Sequence, residues 1–343
     1  MRCPMRRTRI TAFFCTAALV LLLPAHAADD RNIVHVGGTT FNVSWHGSAA
    51  DIGQSELLEW IRRSAAIVSG YYGEFPLDAV AIQVTTGAGD RVMNGRTFGA
   101  PHALIELMVG RRVSAATLRD DWVLVHEMTH LALPEVADDQ NWLAEGLATY
   151  VEGIARVQAG NLSAEELWSE YFRDMRKGLP LKDDRGLDRT HSWARTYWGG
   201  ALFCLIADVR IRDQSGNRRG LQDALRAINR AGGGMGQRWE ADQIFAAGDK
   251  ATATHVLADL YAAMKDKPWA PDLALLWADL GVIGAADGVY LVDSAPLATV
   301  RLAITAPMPY CSVRSDSTTA KRQPSSASSI AVASASCSPS PSQ

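Results

Sequence analysis

From Trp122 to Leu133 the chain runs Trp-Val-Leu-Val-His-Glu-Met-Thr-His-Leu-Ala-Leu, an apolar stretch interrupted by two histidines and a glutamate. A helix accounts for that pattern, because His126 and His130, four apart, then share one face about one turn from each other. Pro134 stops it. Two imidazoles at this spacing can bind one zinc ion through their ring nitrogens, and Glu127, next to the first, is placed to take a proton from a water at that metal. Without a metal, burying His126, His130 and a third ligand in apolar surroundings would leave polar atoms unpaired. The segment therefore predicts a buried helix that carries a metal site, and the rest of the fold must be built around it.

A zinc site open to water needs a third protein ligand. A histidine in the pattern H-E-x-x-H-x-x-G-x-x-H is excluded, since Leu133 stands at the glycine position and Val136 at the last histidine. The alternative is a glutamate on the following helix, and Asn141-Trp142-Leu143-Ala144-Glu145-Gly146-Leu147-Ala148-Thr149-Tyr150 supplies Glu145. A polar turn through Asp138 and Asp139 reverses the chain, and Glu145 then falls about one turn into an antiparallel helix. The expected ligands are His126, His130 and Glu145, holding one Zn2+ per chain, with Glu127 as general base.

Ahead of this region, Phe41–Trp45, Ala79–Val84 and Ala103–Val109 suit strands. Between the first two, Leu57, Ile61, Ala65 and Val68 recur at helical spacing, with Asp51 and Gln54 as a capping pair. The Ala103–Val109 strand is the expected sheet edge, along which an extended peptide would add. From Leu118 onward the signals are nearly all helical: Leu118–Leu133, Trp142–Val157, Ala164–Lys177, Ala194–Arg212 and Leu221–Arg230, then shorter helices to about Leu280. The expected class is α+β: a small mixed sheet with the active-site helix, over about 32–133, followed by a mostly helical lobe over about 134–300.

The pairing of H-E-x-x-H with W-L-x-E-G-x-A-x-Y resembles the gluzincin peptidases. Tyr197-Trp198-Gly199-Gly200-Ala201-Leu202, then Ala207-Asp208-Val209-Arg210-Ile211-Arg212 and Gly220-Leu221-Gln222-Asp223-Ala224-Leu225, resemble the C-terminal catalytic part of the glycyl aminopeptidase family. There a Y-x-K-G-A-L helix runs into a D-x-R-I-R stretch and an S-L-D-D-like helix start. The resemblance covers roughly residues 95 to 280. It implies a thermolysin-like zincin fold, a peptide or protein substrate, and Tyr197 as donor to the oxyanion. Three positions differ from the family: the His130 to Glu145 spacing is short, Gly199 replaces the lysine, and Gly99–Glu106 lacks a clear copy of the glutamate-bearing motif that binds a free amine in gluzincin aminopeptidases. Aminopeptidase and endopeptidase activity both stay open.

Two further residues are candidates for the site, each with a solvated surface position as the alternative. His191 is a rival to Tyr197 for the oxyanion, and Glu152, two turns beyond Glu145 on the same face, suits a carboxylate hydrogen-bonded to a ligand histidine. His35, His46, His102 and His255 have no partner spacing and read as structural or exposed. An alternative reading is a non-catalytic, zinc-containing protein that holds a peptide on the same fold. Glu127 separates the two, because a structural zinc site is usually closed by four protein ligands and has no use for an adjacent base.

The ends fix the expected compartment. Arg2, Arg6, Arg7 and Arg9 precede an apolar run from Ile10 to Leu23 and then Pro24-Ala25-His26-Ala27, the form of a signal peptide over 1–27. Export to the periplasm or medium follows, with no stable membrane span after cleavage. The peptidase domain is expected over 28–306 and a disordered Ser/Pro/Ala-rich tail over 307–343. Past the leader, Cys204, Cys311 and Cys337 are too few and too irregular for a disulfide framework, and Cys204 reads as a small buried hydrophobe. A net charge of −3 offers nothing for capture of nucleic acid or an anionic membrane.

Overall fold

The computed structural model describes residues 32–307. The leader and tail expected from the sequence, with Cys311 and Cys337, lie outside them. Strands β1 (Ile33–Val36), β2 (Thr39–Gly47), β3 (Ala79–Gly87), β4 (Val92–Phe98) and β5 (Leu104–Gly110) form one sheet in the order β1-β2-β3-β5-β4. The pairs β2–β3 and β3–β5 are parallel, while β1 and β4 are antiparallel strands at the two edges. Val80, Ile82 and Val84 alternate with Ile105, Leu107 and Val109 as the buried face. Against the sheet side of the molecule pack α1 (Gln54–Tyr72) and, after the short α2 (Ala115–Asp120), the histidine helix α3 (Val123–His130). Every residue of α3 from Leu124 to His130 is buried, since sheet, α1 and the next helix enclose it.

That next helix is α4 (Asn141–Gln158), followed by α5 (Ala164–Asp174), a π-helical turn at Arg195–Gly199 and α6 (Gly200–Ser215). Then come α7 (Leu221–Arg230), α8 (Ala241–Thr252), α9 (Val256–Met264), α10 (Leu273–Leu280), a hairpin of β6 (Val282–Ala285) with β7 (Gly288–Leu291), and α11 (Ala298–Ile304). Helices α4 and α6 cross with their backbones in contact: a Cβ on Gly146 would overlap Gly200, and one on Gly200 would overlap the Trp142 carbonyl. Below the crossing, Asp208 on α6 accepts hydrogen bonds from the Tyr150 hydroxyl (3.0 Å), Arg212 Nε (2.8 Å) and the Leu221 N–H (2.9 Å). The Ala207–Arg212 segment that resembles the glycyl aminopeptidase pattern is thus a buried tie between α4, α6 and α7.

The α+β order agrees with the sequence reading, and Cys204 is a free buried cysteine as expected. Four local expectations are corrected. The sheet edge next to the Ala103–Val109 strand is β4, because β5 is flanked by β3 and β4. The expected helix Leu118–Leu133 is two helices, broken where Asp121 turns extended (φ −65°, ψ 135°) and its carboxylate accepts from the Leu124 N–H at 3.2 Å. Asp51 does not cap α1, which starts after Gly53 with no side-chain cap. It binds Arg111 instead, through both its carboxylate (3.0 Å) and its N–H (2.9 Å). The helical lobe also contains the β6–β7 hairpin. Among the described residues no helix is long and apolar enough to cross a membrane.

Candidate metal centre

Helices α3 and α4 bring His126, His130 and Glu145 together. His126 Nε2 lies 3.3 Å and His130 Nε2 3.5 Å from Glu145 Oε2, and one ligand atom from each residue falls within a 4.8 Å cluster. These separations bear on what the site can hold. Ligands about 2.0–2.1 Å from a tetrahedral zinc stand about 3.3–3.4 Å apart, so the two histidine–glutamate separations suit such a site, and the three residues supply its donor chemistry. A direct hydrogen bond would draw nitrogen and oxygen closer, to about 2.7–2.9 Å for a charged pair. Among the described residues this is the one group of three or more such side chains that could hold a metal.

The electrostatics of the triad are strongly coupled. Burial pushes the Glu145 carboxyl up, but its contacts with the His126 and His130 rings outweigh it and hold the group well below the usual carboxylate range. Burial lowers His126 despite its Glu145 contact. Burial also pulls His130 down, but its contacts with Glu145 prevail and its net shift is upward. The carboxylate therefore stays ionised, as a ligand must.

Glu127, on the same helix, is only 8% exposed, and its carboxylate is held from outside the helix. The Thr97 hydroxyl on β4 lies 2.6 Å from Glu127 Oε2 and 2.9 Å from the Glu127 carbonyl oxygen. Two residues along the same strand, a Cβ on Gly95 would come within 2.5 Å of Glu127 Cγ and 2.8 Å of Oε1. A cleft of about 690 Å³ opens beside these groups, lined by Val92–Gly95 of β4, by Thr117, Asp121 and Trp122 at the α2–α3 corner, and by His126, Glu127 and Tyr197.

Tyr197 reaches the centre from the π-helical turn, a distortion that occurs often at functional sites. Its ring stacks on His126 (centroids 6.3 Å, 13° between planes) and on Trp193 (5.6 Å, 26°). Burial, then the Glu145 carboxylate, pushes its phenol up to about 12. His191 sits in an exposed stretch ahead of that turn and is not among the residues lining the cleft. Glu152 does not reach a ligand histidine: it lies 3.6 Å from Arg156, and Nδ1 of His126 has no hydrogen-bond partner among the described residues. Sharing a face with Glu145 was not enough, because seven residues along a helix is a displacement of about 10 Å.

The sequence reading missed β4, and with it Gly95 and Thr97. The available signal was weak: Met93, Asn94 and Arg96 are all exposed, so the strand lacks the alternation of a half-buried strand.

No protein-family model matches the chain, and no curated protein matches it by sequence. Among solved structures it is similar to an aminopeptidase N family protein from Idiomarina loihiensis, with a TM-score of 0.56 at 14% identity over 73% of this chain and 49% of that one. An M1 zinc metallopeptidase from Deinococcus radiodurans is matched at TM-score 0.46 and 14% identity, over 70% of this chain and 52% of that one. The chain spans about half the length of either structure. The fold is similar to that of the aminopeptidase N family protein, a peptidase-like fold of the kind the sequence resemblance implied.

Proposed function

We propose that this protein is an exported, zinc-dependent peptidase that hydrolyses peptide bonds in a peptide or protein substrate. The observation that carries this reading is the convergence of ligand atoms of His126, His130 and Glu145 within 4.8 Å of one another, with Glu127 beside them on the wall of an open cleft. Bound there, zinc would supply Lewis-acid polarisation of the scissile carbonyl and a more acidic attacking water. Glu127 takes the water's proton and passes it to the leaving amine, a contribution of roughly 100- to 10,000-fold. Tyr197 donates to the carbonyl oxygen as it gains charge, and its raised phenol stays protonated for that task. The free edge of β4 borders the cleft, and an extended substrate adds to it as a further strand. The leader expected over 1–27 directs the chain to the periplasm or medium.

The test begins with metal content. The purified mature protein should carry one zinc per chain, and His130→Ala should lose it. Glu127→Gln is nearly isosteric and should keep zinc and fold while abolishing hydrolysis. Incubation with a mixed peptide library, read by mass spectrometry, distinguishes single-residue losses of an exopeptidase from internal cuts of an endopeptidase. A zinc-loaded wild type that cleaves nothing in the library would overturn the enzymatic reading in favour of a peptide-holding protein.

A further inference from the structure

We infer that Thr97, on the edge strand β4, is a positioning residue that holds the Glu127 carboxylate in its working orientation, with Gly95 leaving the space for it. The inference rests on the reading of Glu127 as general base. A glutamate side chain has three rotatable bonds, and a base is effective only when its oxygens are fixed against the proton they take. Helix α3 fixes where Glu127 begins, but nothing in the helix fixes where it ends. Thr97 does so from the strand. Its hydroxyl stands 2.6 Å from Oε2 and 2.9 Å from the carbonyl oxygen of the same residue, so one side chain ties both ends of Glu127. Threonine suits the task because its branched Cβ leaves few rotamers, and the hydroxyl is presented without a search.

A tie between strand and helix needs only the bond to the Glu127 carbonyl. The hydroxyl has one proton for the two oxygens, so the two contacts share it or alternate, and the shorter contact is the one to the carboxylate. Gly95 completes the geometry. It stands two residues away and on the same side of β4, where a Cβ would meet Glu127 Cγ at 2.5 Å and Oε1 at 2.8 Å. Thr97 thus engages one carboxylate oxygen, and the other passes over a residue with no side chain. Since β4 is also the strand that borders the cleft, the element that receives substrate and the element that aims the base are the same.

The experiment compares Thr97→Val, which keeps the shape and removes the hydroxyl, with Thr97→Ser, which keeps the hydroxyl. Thr97→Val should lower kcat by about 10- to 100-fold, the scale on which small misplacements of a reacting group act, with KM within about twofold. Zinc content should stay at the wild-type value, and Tm should fall by no more than a few degrees, the cost of one hydrogen bond. Thr97→Ser should recover kcat to within about threefold of wild type. Crystal structures of both variants supply a readout independent of turnover: the Glu127 carboxylate should leave its position or occupy more than one rotamer in Thr97→Val and keep a single one in Thr97→Ser. Wild-type kcat in Thr97→Val, equal impairment of the two variants, or an unmoved carboxylate in Thr97→Val would each overturn the inference. If wild type hydrolyses nothing, the peptidase reading fails, and the crystallographic comparison still decides whether Thr97 holds Glu127.

Discussion

Two carboxylates lie on the crossing helices α4 and α6, Asp208 buried and Glu145 half-buried, and they are held in opposite ways. Asp208 is saturated: a tyrosine hydroxyl, a guanidinium and a backbone N–H reach it at 2.8–3.0 Å. Glu145 faces two imidazole nitrogens that both stop at 3.3–3.5 Å, the spacing of atoms that share an ion, with the Tyr197 phenol as a further neighbour. The first arrangement locks the helices together, while the second leaves coordination to be completed. Composition cannot separate them, since each is an acid facing positively charged or chargeable groups. The distances do.

The comparison can be broken by exchanging what each acid is asked to do. Glu145→Gln keeps the shape and removes a ligand charge, so zinc stoichiometry and hydrolysis should both be lost. The variant should also lose the response to chelators. At zinc 100 times above Kd, binding stabilises the wild type by about 2.7 kcal/mol. Stripping the metal should therefore lower the wild-type Tm by roughly 5–10 °C, a shift absent in Glu145→Gln. Asp208→Asn should do the reverse. Breaking a buried pair costs about 3–5 kcal/mol, so Tm should fall by roughly 10 °C while zinc content stays at one per chain. Loss of metal in Asp208→Asn, at temperatures where it remains folded, would show that the tie beneath the crossing also shapes the site.

A smaller effect separates the two candidates for the oxyanion. Tyr197 lines the cleft and stacks on His126, whereas His191 is exposed and does not line it. Tyr197→Phe should lower kcat by about 100- to 1,000-fold, the usual cost of removing one such donor, with KM, zinc and stability nearly unchanged. His191→Ala should do far less. The reverse result would assign the role to His191 and undo what the family resemblance implies at Tyr197.

Legibility in the sequence followed locality. His126, His130 and Glu127 are four residues or fewer apart on one helix, and Glu145 lies one turn and one helix further on, so helical period and a turn signal sufficed. The α+β order was readable for the same reason, since α1, β2, β3 and β5 carry their own apolar patterns. What was missed depends on distant pairing. Strand β4 is held in register by β5, with an irregularity between Val92 and Asn94, and no pattern of its own marks it. The Gly146–Gly200 crossing and the Asp208 tie likewise join elements far apart in sequence, and they appeared beforehand only as family motifs without a physical role. Glu152 failed differently: the face was right, and the distance along the axis was wrong.

Glu152 supplies the last and smallest test, because it is a buried carboxylate that matches neither of these two. It is 7% exposed, its Oε2 has no hydrogen-bond partner among the described residues, and Arg156 approaches only to 3.6 Å. That guanidinium is engaged elsewhere, with Asn161 at 2.9 Å and the Asp120 carbonyl at 3.0 Å. Burial pushes the Glu152 carboxyl up to about 8, Arg156 offsets part of this, and the neighbouring Glu170 and Asp121 add to it. The folded state then holds a proton that the unfolded chain has already released, so the stability Glu152 contributes is full below its ordinary value near 4.5 and is lost as pH rises towards 8. Glu152→Gln mimics the protonated form and has nothing to lose. Its Tm should match wild type at pH 4.5 or below and exceed it by a few degrees at pH 8.5, with the gap opening between those values. Equal curves at both ends, or a wild type that is the more stable at pH 8.5, would mean that Glu152 is ionised and paired with Arg156, and that this acid belongs with Asp208 after all.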